Sequence, residues 1–75
     1  MNKKIQIIIP CYNEEENISH IVSEVDKYIG SLPYQYEFVF IDDGSSDKTY
    51  DAIVDLSRKR DDINVIKLSR NFGKE

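Results

Sequence analysis

Three short stretches of this sequence gather side chains able to bind a ligand or carry chemistry. They are Pro10-Cys11-Tyr12-Asn13-Glu14, Asp42-Asp43-Gly44-Ser45-Ser46-Asp47 and Ser69-Arg70-Asn71-Phe72-Gly73-Lys74. Carboxylates in the second stretch can accept hydrogen bonds from a nucleobase N–H or ribose hydroxyls, or give oxygen ligands to a hard cation. Asp42 and Asp43 are adjacent, so they should point in different directions, one to an inward or structural role and one to a ligand. Tyr12 offers a ring to stack on a base. Arg70 and Lys74 can complement the charge of a diphosphate. Each residue also has an ordinary structural use. Asp, Gly and Ser build turns, a loop aromatic packs as readily as it stacks, Glu14 suits the positive end of a helix, and Arg70 and Lys74 can be plain solvated charges.

Several other chemistries are excluded. There is no G-x-x-x-x-G-K-[ST] phosphate loop: Gly73-Lys74 is followed by Glu75, and Leu68 stands where the upstream glycine belongs. The turn after the first apolar run lacks G-x-G-x-x-G, so a nucleotide would have to be held by side chains and not by a glycine cradle. One cysteine (Cys11) and one histidine (His20) make neither an internal disulfide nor a Cys/His zinc site. A Ser-His-Asp triad would need His20, which falls on the polar side of a helical pattern.

The elements that position these stretches follow from periodicity. Ile5 to Ile9 is a short β-branched run, reading as a strand buried on both faces and ended by Pro10. Asn13 is placed to cap a helix whose first turn holds Glu14, Glu15 and Glu16. Ile18, Ile21, Val22, Val25 and Ile29 form its apolar stripe, with His20, Ser23, Glu24 and Lys27 off it. Gly30 and Pro33 mark its end. Glu37 to Ile41 is a second buried strand, with Asp42 to Ser46 as the turn at its carboxyl end. Ser45 or Ser46 caps a second helix with inner residues Thr49, Ala52, Ile53 and Leu56, and Arg58, Lys59 and Arg60 suit its C-terminal end. Ile63 to Leu68 is a third strand. The order strand-helix-strand-helix-strand implies right-handed crossovers and a parallel sheet. Both helices should lie on one face, leaving the other bare, as in half a domain. All three polar stretches then fall at the carboxyl ends of the strands, where open parallel sheets bind ligands. An acidic pair after the second strand does not suit a phosphoacceptor receiver domain.

Composition sets the outer bounds. The chain has 75 residues, 40% hydrophobic and 32% charged, which is a globular profile with at most one domain. At this length roughly 60% of the unfolded surface is buried, a marginal core. Ten basic against fourteen acidic residues give a net charge of −4, which argues against nucleic acid as the main partner. Lys3 and Lys4 before Ile5 to Ile9 mimic a signal peptide, but Pro10 and the acids after it cut the apolar run too short, and no run approaches a membrane span.

In combination, Ile7 to Ile18 (Ile-Ile-Ile-Pro-Cys-Tyr-Asn-Glu-Glu-Glu-Asn-Ile), Phe40 to Thr49 and Leu68 to Glu75 resemble the start of a family 2 glycosyltransferase. They are most similar to the branch of dolichol-phosphate mannosyltransferases and bacterial polyprenyl-phosphate glycosyltransferases, with Ser-Arg-Asn-Phe-Gly at 69–73 pointing there. The resemblance covers nearly the whole chain. It implies a three-layer, Rossmann-like GT-A fold, of which residues 1–75 would be the N-terminal nucleotide-recognition half, and a UDP- or GDP-linked sugar donor. By position, Pro10, Tyr12 and Glu14 would line the nucleoside pocket. Asp43 would hydrogen-bond the base, Asp42 would support the turn, and Arg70 and Lys74 would lie near phosphate.

The family also carries a later Asp-x-Asp motif that holds Mg²⁺ or Mn²⁺ on the diphosphate. No such triplet occurs in these 75 residues. No metal ligand or catalytic residue is therefore expected here, and the segment alone should be inactive. The intact enzyme would transfer a sugar to an acceptor, a polyprenyl phosphate in this branch, at the cytoplasmic face of the membrane. A competing reading is a non-catalytic α/β module that associates with a partner, or with a second copy, through its bare sheet face.

Overall fold

The computed structural model describes residues 4–68. The expected order holds: β1 (Lys4–Cys11), α1 (Ile18–Ile29), β2 (Gln35–Asp43), α2 (Thr49–Ser57) and β3 (Ile63–Leu68). The three strands form one sheet in the order β1-β2-β3, and both pairings are parallel. Two successive crossovers in one direction carry both helices over the same face. Ile18 and Val22 of α1 and Ile53 of α2 join Phe38 and Phe40 of β2 and Ile63 of β3 in a single core. This is α/β architecture, part of a Rossmann-like GT-A half. Among the described residues it comprises two layers, sheet and helices.

That layering corrects one expectation. The strands are not buried on both faces but alternate. Along β1, Ile5, Ile7, Ile9 and Cys11 turn toward the helices, whereas Gln6, Ile8 and Pro10 are exposed. Along β2, Phe38, Phe40 and Asp42 are buried, and Glu37, Val39, Ile41 and Asp43 occupy the other face. A continuous isoleucine run hides a period of two, because isoleucine is used on both faces. The bare face therefore carries apolar surface: Ile8 is 52% exposed, Ile66 49% and Leu68 44%.

Three boundaries also differ from the sequence reading. Pro10 does not end β1, which runs on to Cys11 paired with Asp42. β1 lies at the edge of the described sheet, where a missing N–H on the outer side costs no ladder bond. Asn13 does not cap α1. The cap position is Asn17, and no acid lies in the helix's first turn, since Glu14, Glu15 and Glu16 precede it. Ser45 and Ser46 do not cap α2 either. Its cap position is Lys48, and the Thr49 N–H donates 3.0 Å to the Asp47 carboxylate. His20 is exposed, as its place off the apolar stripe requires.

The core is small and aromatic at its centre. Phe38 and Phe40 are fully buried, their rings 6.1 Å apart and nearly parallel. Burial of such a side chain contributes about 1.5–3 kcal/mol. At the amino ends of the strands, Arg60 donates to Asp26 at 2.6 and 3.2 Å and to Asp62 at 3.0 and 2.8 Å. Its guanidinium stands 5.4 Å over the Phe38 ring, and the Tyr36 hydroxyl donates to Asp26. One cation thus ties the end of α1 to the strand entrances. Among the described residues, no helix is long and apolar enough to cross a membrane.

Candidate functional site

β2 is the central strand, and its last two residues are Asp42 and Asp43. They belong to the strand, not to the turn, and strand alternation therefore sends them to opposite faces. Asp42 is fully buried on the helix side. Asp43 is half-buried on the open side, the side that also holds Pro10. The turn after them depends on Gly44, whose φ of 75° is costly for any residue with a Cβ.

Asp42 holds that turn. Its Oδ1 accepts the Ser45 N–H at 3.2 Å and the Ser45 hydroxyl. Its Oδ2 is buried and has no hydrogen-bond partner among the described residues. A buried, half-satisfied carboxylate costs stability, so the turn carries that cost as part of its geometry. With no accessible surface, Asp42 acts through the turn, whereas Asp43 lies on the open face of the sheet.

The loops after β1 and β2 are laced together across more than thirty residues of sequence. Asn13 adopts φ 53°, in the left-handed region that asparagine tolerates better than most residues. Its N–H donates 2.8 Å to the Ser45 hydroxyl, and its Oδ1 accepts from the Ser46 N–H at 2.9 Å and the Asp47 N–H at 3.4 Å. Beside it, the Glu14 N–H donates 2.8 Å to Thr49 Oγ1, and the buried Thr49 hydroxyl donates to Asp47. The Glu15 N–H reaches Asp47 at 3.4 Å, while Glu15 accepts from the Lys48 N–H at 3.2 Å. The Thr49 hydroxyl, followed by the Thr49 and Glu15 N–H groups, holds the Asp47 carboxyl below its ordinary range.

The other residues singled out in the sequence are placed as follows. Tyr12 is 51% exposed beyond the end of β1. Glu14 is half-buried, and its Oε1 accepts 2.8 Å from Asn17 Nδ2. Cys11 is buried and donates to the Ile41 carbonyl. Burial, then the charges of Asp42, Glu14 and Asp47, push its thiol up to about 11, so it is not a nucleophile near neutral pH. Arg70 and Lys74 lie outside the described residues. The sequence reading missed the roles of Asn13, Ser45, Asp47 and Thr49 because hydrogen bonds between distant loops leave no periodic signal.

Pro10, Tyr12, Glu14 and Asp43 thus fall at one end of the sheet, the carboxyl ends of β1 and β2. A cleft of about 220 Å³ at that end is lined by Asn13, Glu14, Glu15, Glu16, Asn17 and Asp47, so of the four only Glu14 reaches it. The carboxylates of Glu14, Glu15, Glu16 and Asp47 make that cleft acidic. Larger clefts open at the opposite end, beside Arg60 and Asp62, away from these residues.

The chain is 39% identical over its whole length to an uncharacterized glycosyltransferase of Synechocystis sp., of which it covers 24%. It is 45% identical over 71 residues, 95% of the chain, to the putative glycosyltransferase CsbB of Bacillus subtilis, of which it covers 22%. It therefore spans about a quarter of the length of these curated relatives. Residues 6–75 match the profile of glycosyl transferase family 2, and the chain belongs to that family.

Proposed function

We propose that residues 1–75 are the N-terminal, nucleotide-recognising half of a glycosyltransferase domain, and that the whole protein moves one sugar from a UDP- or GDP-sugar to a polyprenyl phosphate at the cytoplasmic face of the membrane. The observation that carries this reading is the split of the aspartate pair. Asp42 is buried in the turn, while Asp43 stands at the carboxyl end of the central parallel strand, on the face shared with Pro10.

In this reading Asp43 accepts from the base N–H, and Tyr12, Pro10 and Glu14 line the nucleoside pocket. Arg70 and Lys74 approach the donor or acceptor phosphate. The acceptor phosphate oxygen forms the new bond to the anomeric carbon. The bond from that carbon to the nucleoside diphosphate breaks, and the electron pair leaves with the diphosphate. This segment supplies recognition and orientation for that step, and no catalytic residue.

Mg²⁺ or Mn²⁺ on the diphosphate belongs to the same reading. The residues described do not fit it: no group of three or more His, Cys, Asp or Glu side chains among them could hold a metal ion. The metal's ligands would lie elsewhere in the full-length protein.

Calorimetric titration of the full-length protein with UDP and with GDP tests the donor half. One nucleotide should bind saturably, and Asp43→Ala should abolish that binding; unchanged affinity removes Asp43 from the site. Incubation with labelled UDP- or GDP-sugar and a polyprenyl phosphate, followed by organic extraction, tests the acceptor. Label confined to the aqueous phase would reject the lipid acceptor.

A further inference from the structure

Asn13 stands between two residues proposed to line the nucleoside pocket, Tyr12 and Glu14, and its side chain is spent on neither. It turns across to the loop that follows Asp43. There its Oδ1 accepts from the N–H groups of Ser46 and Asp47 and from the Ser46 hydroxyl at 3.4 Å. Its own N–H donates to the Ser45 hydroxyl, which donates in turn to the buried Asp42. A left-handed backbone at position 13 accompanies both sets of bonds.

We infer that Asn13 is a positioning residue for nucleoside recognition, clasping the β1–α1 loop to the β2–α2 loop so that Tyr12 and Asp43 keep one fixed separation before ligand arrives. This rests on the proposed nucleotide reading. The two groups proposed to meet the ligand are far apart in sequence, and each sits close to a residue of the clasp: Tyr12 adjoins Asn13, and Asp43 lies two residues before Ser45, across Gly44. Without the clasp each loop would have to be ordered at the moment of binding, and that ordering weakens affinity. Immobilising even one or two side chains on binding corresponds to about a tenfold loss.

The experiment compares Asn13→Gly, Asn13→Asp and Arg60→Met with wild type in the full-length protein. Affinity for the preferred nucleotide is read by calorimetry at a temperature where circular dichroism shows each variant folded. Asn13→Gly keeps a backbone free to adopt φ near 53° but removes the accepting oxygen. Asn13→Asp keeps that oxygen. Arg60→Met lowers stability from the opposite end of the sheet. The expected result is about tenfold weaker binding for Asn13→Gly, recovery to within about threefold for Asn13→Asp, and unchanged affinity for Arg60→Met. Binding by Asn13→Gly within twofold of wild type, an Asn13→Asp affinity as poor as that of Asn13→Gly, or an equal loss in Arg60→Met would each overturn the inference. A wild-type protein that binds neither UDP nor GDP would defeat the nucleotide reading itself, a result distinct from all three.

Discussion

Replacing Arg60 by Met gives the sharpest test of how this small sheet is held together. The substitution keeps a flexible apolar stem of similar reach but removes four hydrogen bonds to Asp26 and Asp62 and the cation over Phe38. The Arg60 side chain is 28% exposed, Asp62 28% and Asp26 36%, so solvent screens the pairs substantially. After that discount each carboxylate contact contributes about 1 kcal/mol at most, and the ring contact adds about 0.5–1 kcal/mol. The variant also leaves Asp26 and Asp62 without their shared cation. A loss of about 2 kcal/mol is expected at pH 7, a large fraction of what a small domain has.

Urea unfolding followed by circular dichroism reads this difference, and pH gives it a signature. The Arg60 hydrogen bond, with help from Tyr36, lowers the Asp26 pKa from its ordinary 3.8. A carboxylate whose folded pKa is depressed contributes stability that is complete above its unfolded pKa, and loses it as pH falls through the folded value. The gap between wild type and Arg60→Met should therefore be full at pH 7 and shrink below about pH 4. A double-mutant cycle with Asp26→Asn should return a coupling of about 1 kcal/mol. A difference under about 0.5 kcal/mol at pH 7, or one that stays constant into acid, would refute the argument that this cation carries structural load.

Two further perturbations probe the strand-end loops. Thr49→Val keeps shape in a fully buried site but leaves the Glu14 N–H and the Asp47 carboxylate each short of a partner; it should cost about 1–3 kcal/mol, with Thr49→Ser recovering part, and a change under about 0.5 kcal/mol in the same urea assay would show the hydroxyl to be dispensable. Cys11, buried and with its thiol pushed up to about 11, should resist iodoacetamide at pH 8 in the folded protein and react promptly in urea; labelling of the folded protein at the rate of a free thiol would contradict its placement.

Element order and type were legible in the sequence, because a parallel α/β unit writes two different periods into its chain. The stripe Ile18, Ile21, Val22, Val25 and Ile29 fixed α1, and the β3 boundaries match the apolar run from Ile63 to Leu68. What the sequence hid has identifiable causes. The run Ile7-Ile8-Ile9 concealed which face was covered, since one residue type serves both a core face and an open one. Asn13, Ser45 and Ser46 resembled helix caps because their side chains accept backbone N–H bonds in any setting. The N–H groups bonded by Asn13 belong to another loop, 33 and 34 residues away. Only the topology brings the two loops together.

That topology also explains why the two ends of the sheet differ in chemistry. The entrance of β2 and β3 is locked by a cation shared between two carboxylates, an arrangement that holds α1 against the strands. The exit is locked by backbone N–H groups donating to side chains of the opposite loop. A lock of that kind fixes the turn after Asp43 through Asn13, Ser45 and Ser46. Stability supplied at the entrance allows the exit loops to be short and polar, with one buried carboxylate left half-satisfied at Asp42. The cost follows from strand alternation, because turning Asp43 to the open face obliges the preceding residue in the strand, Asp42, to point into the core.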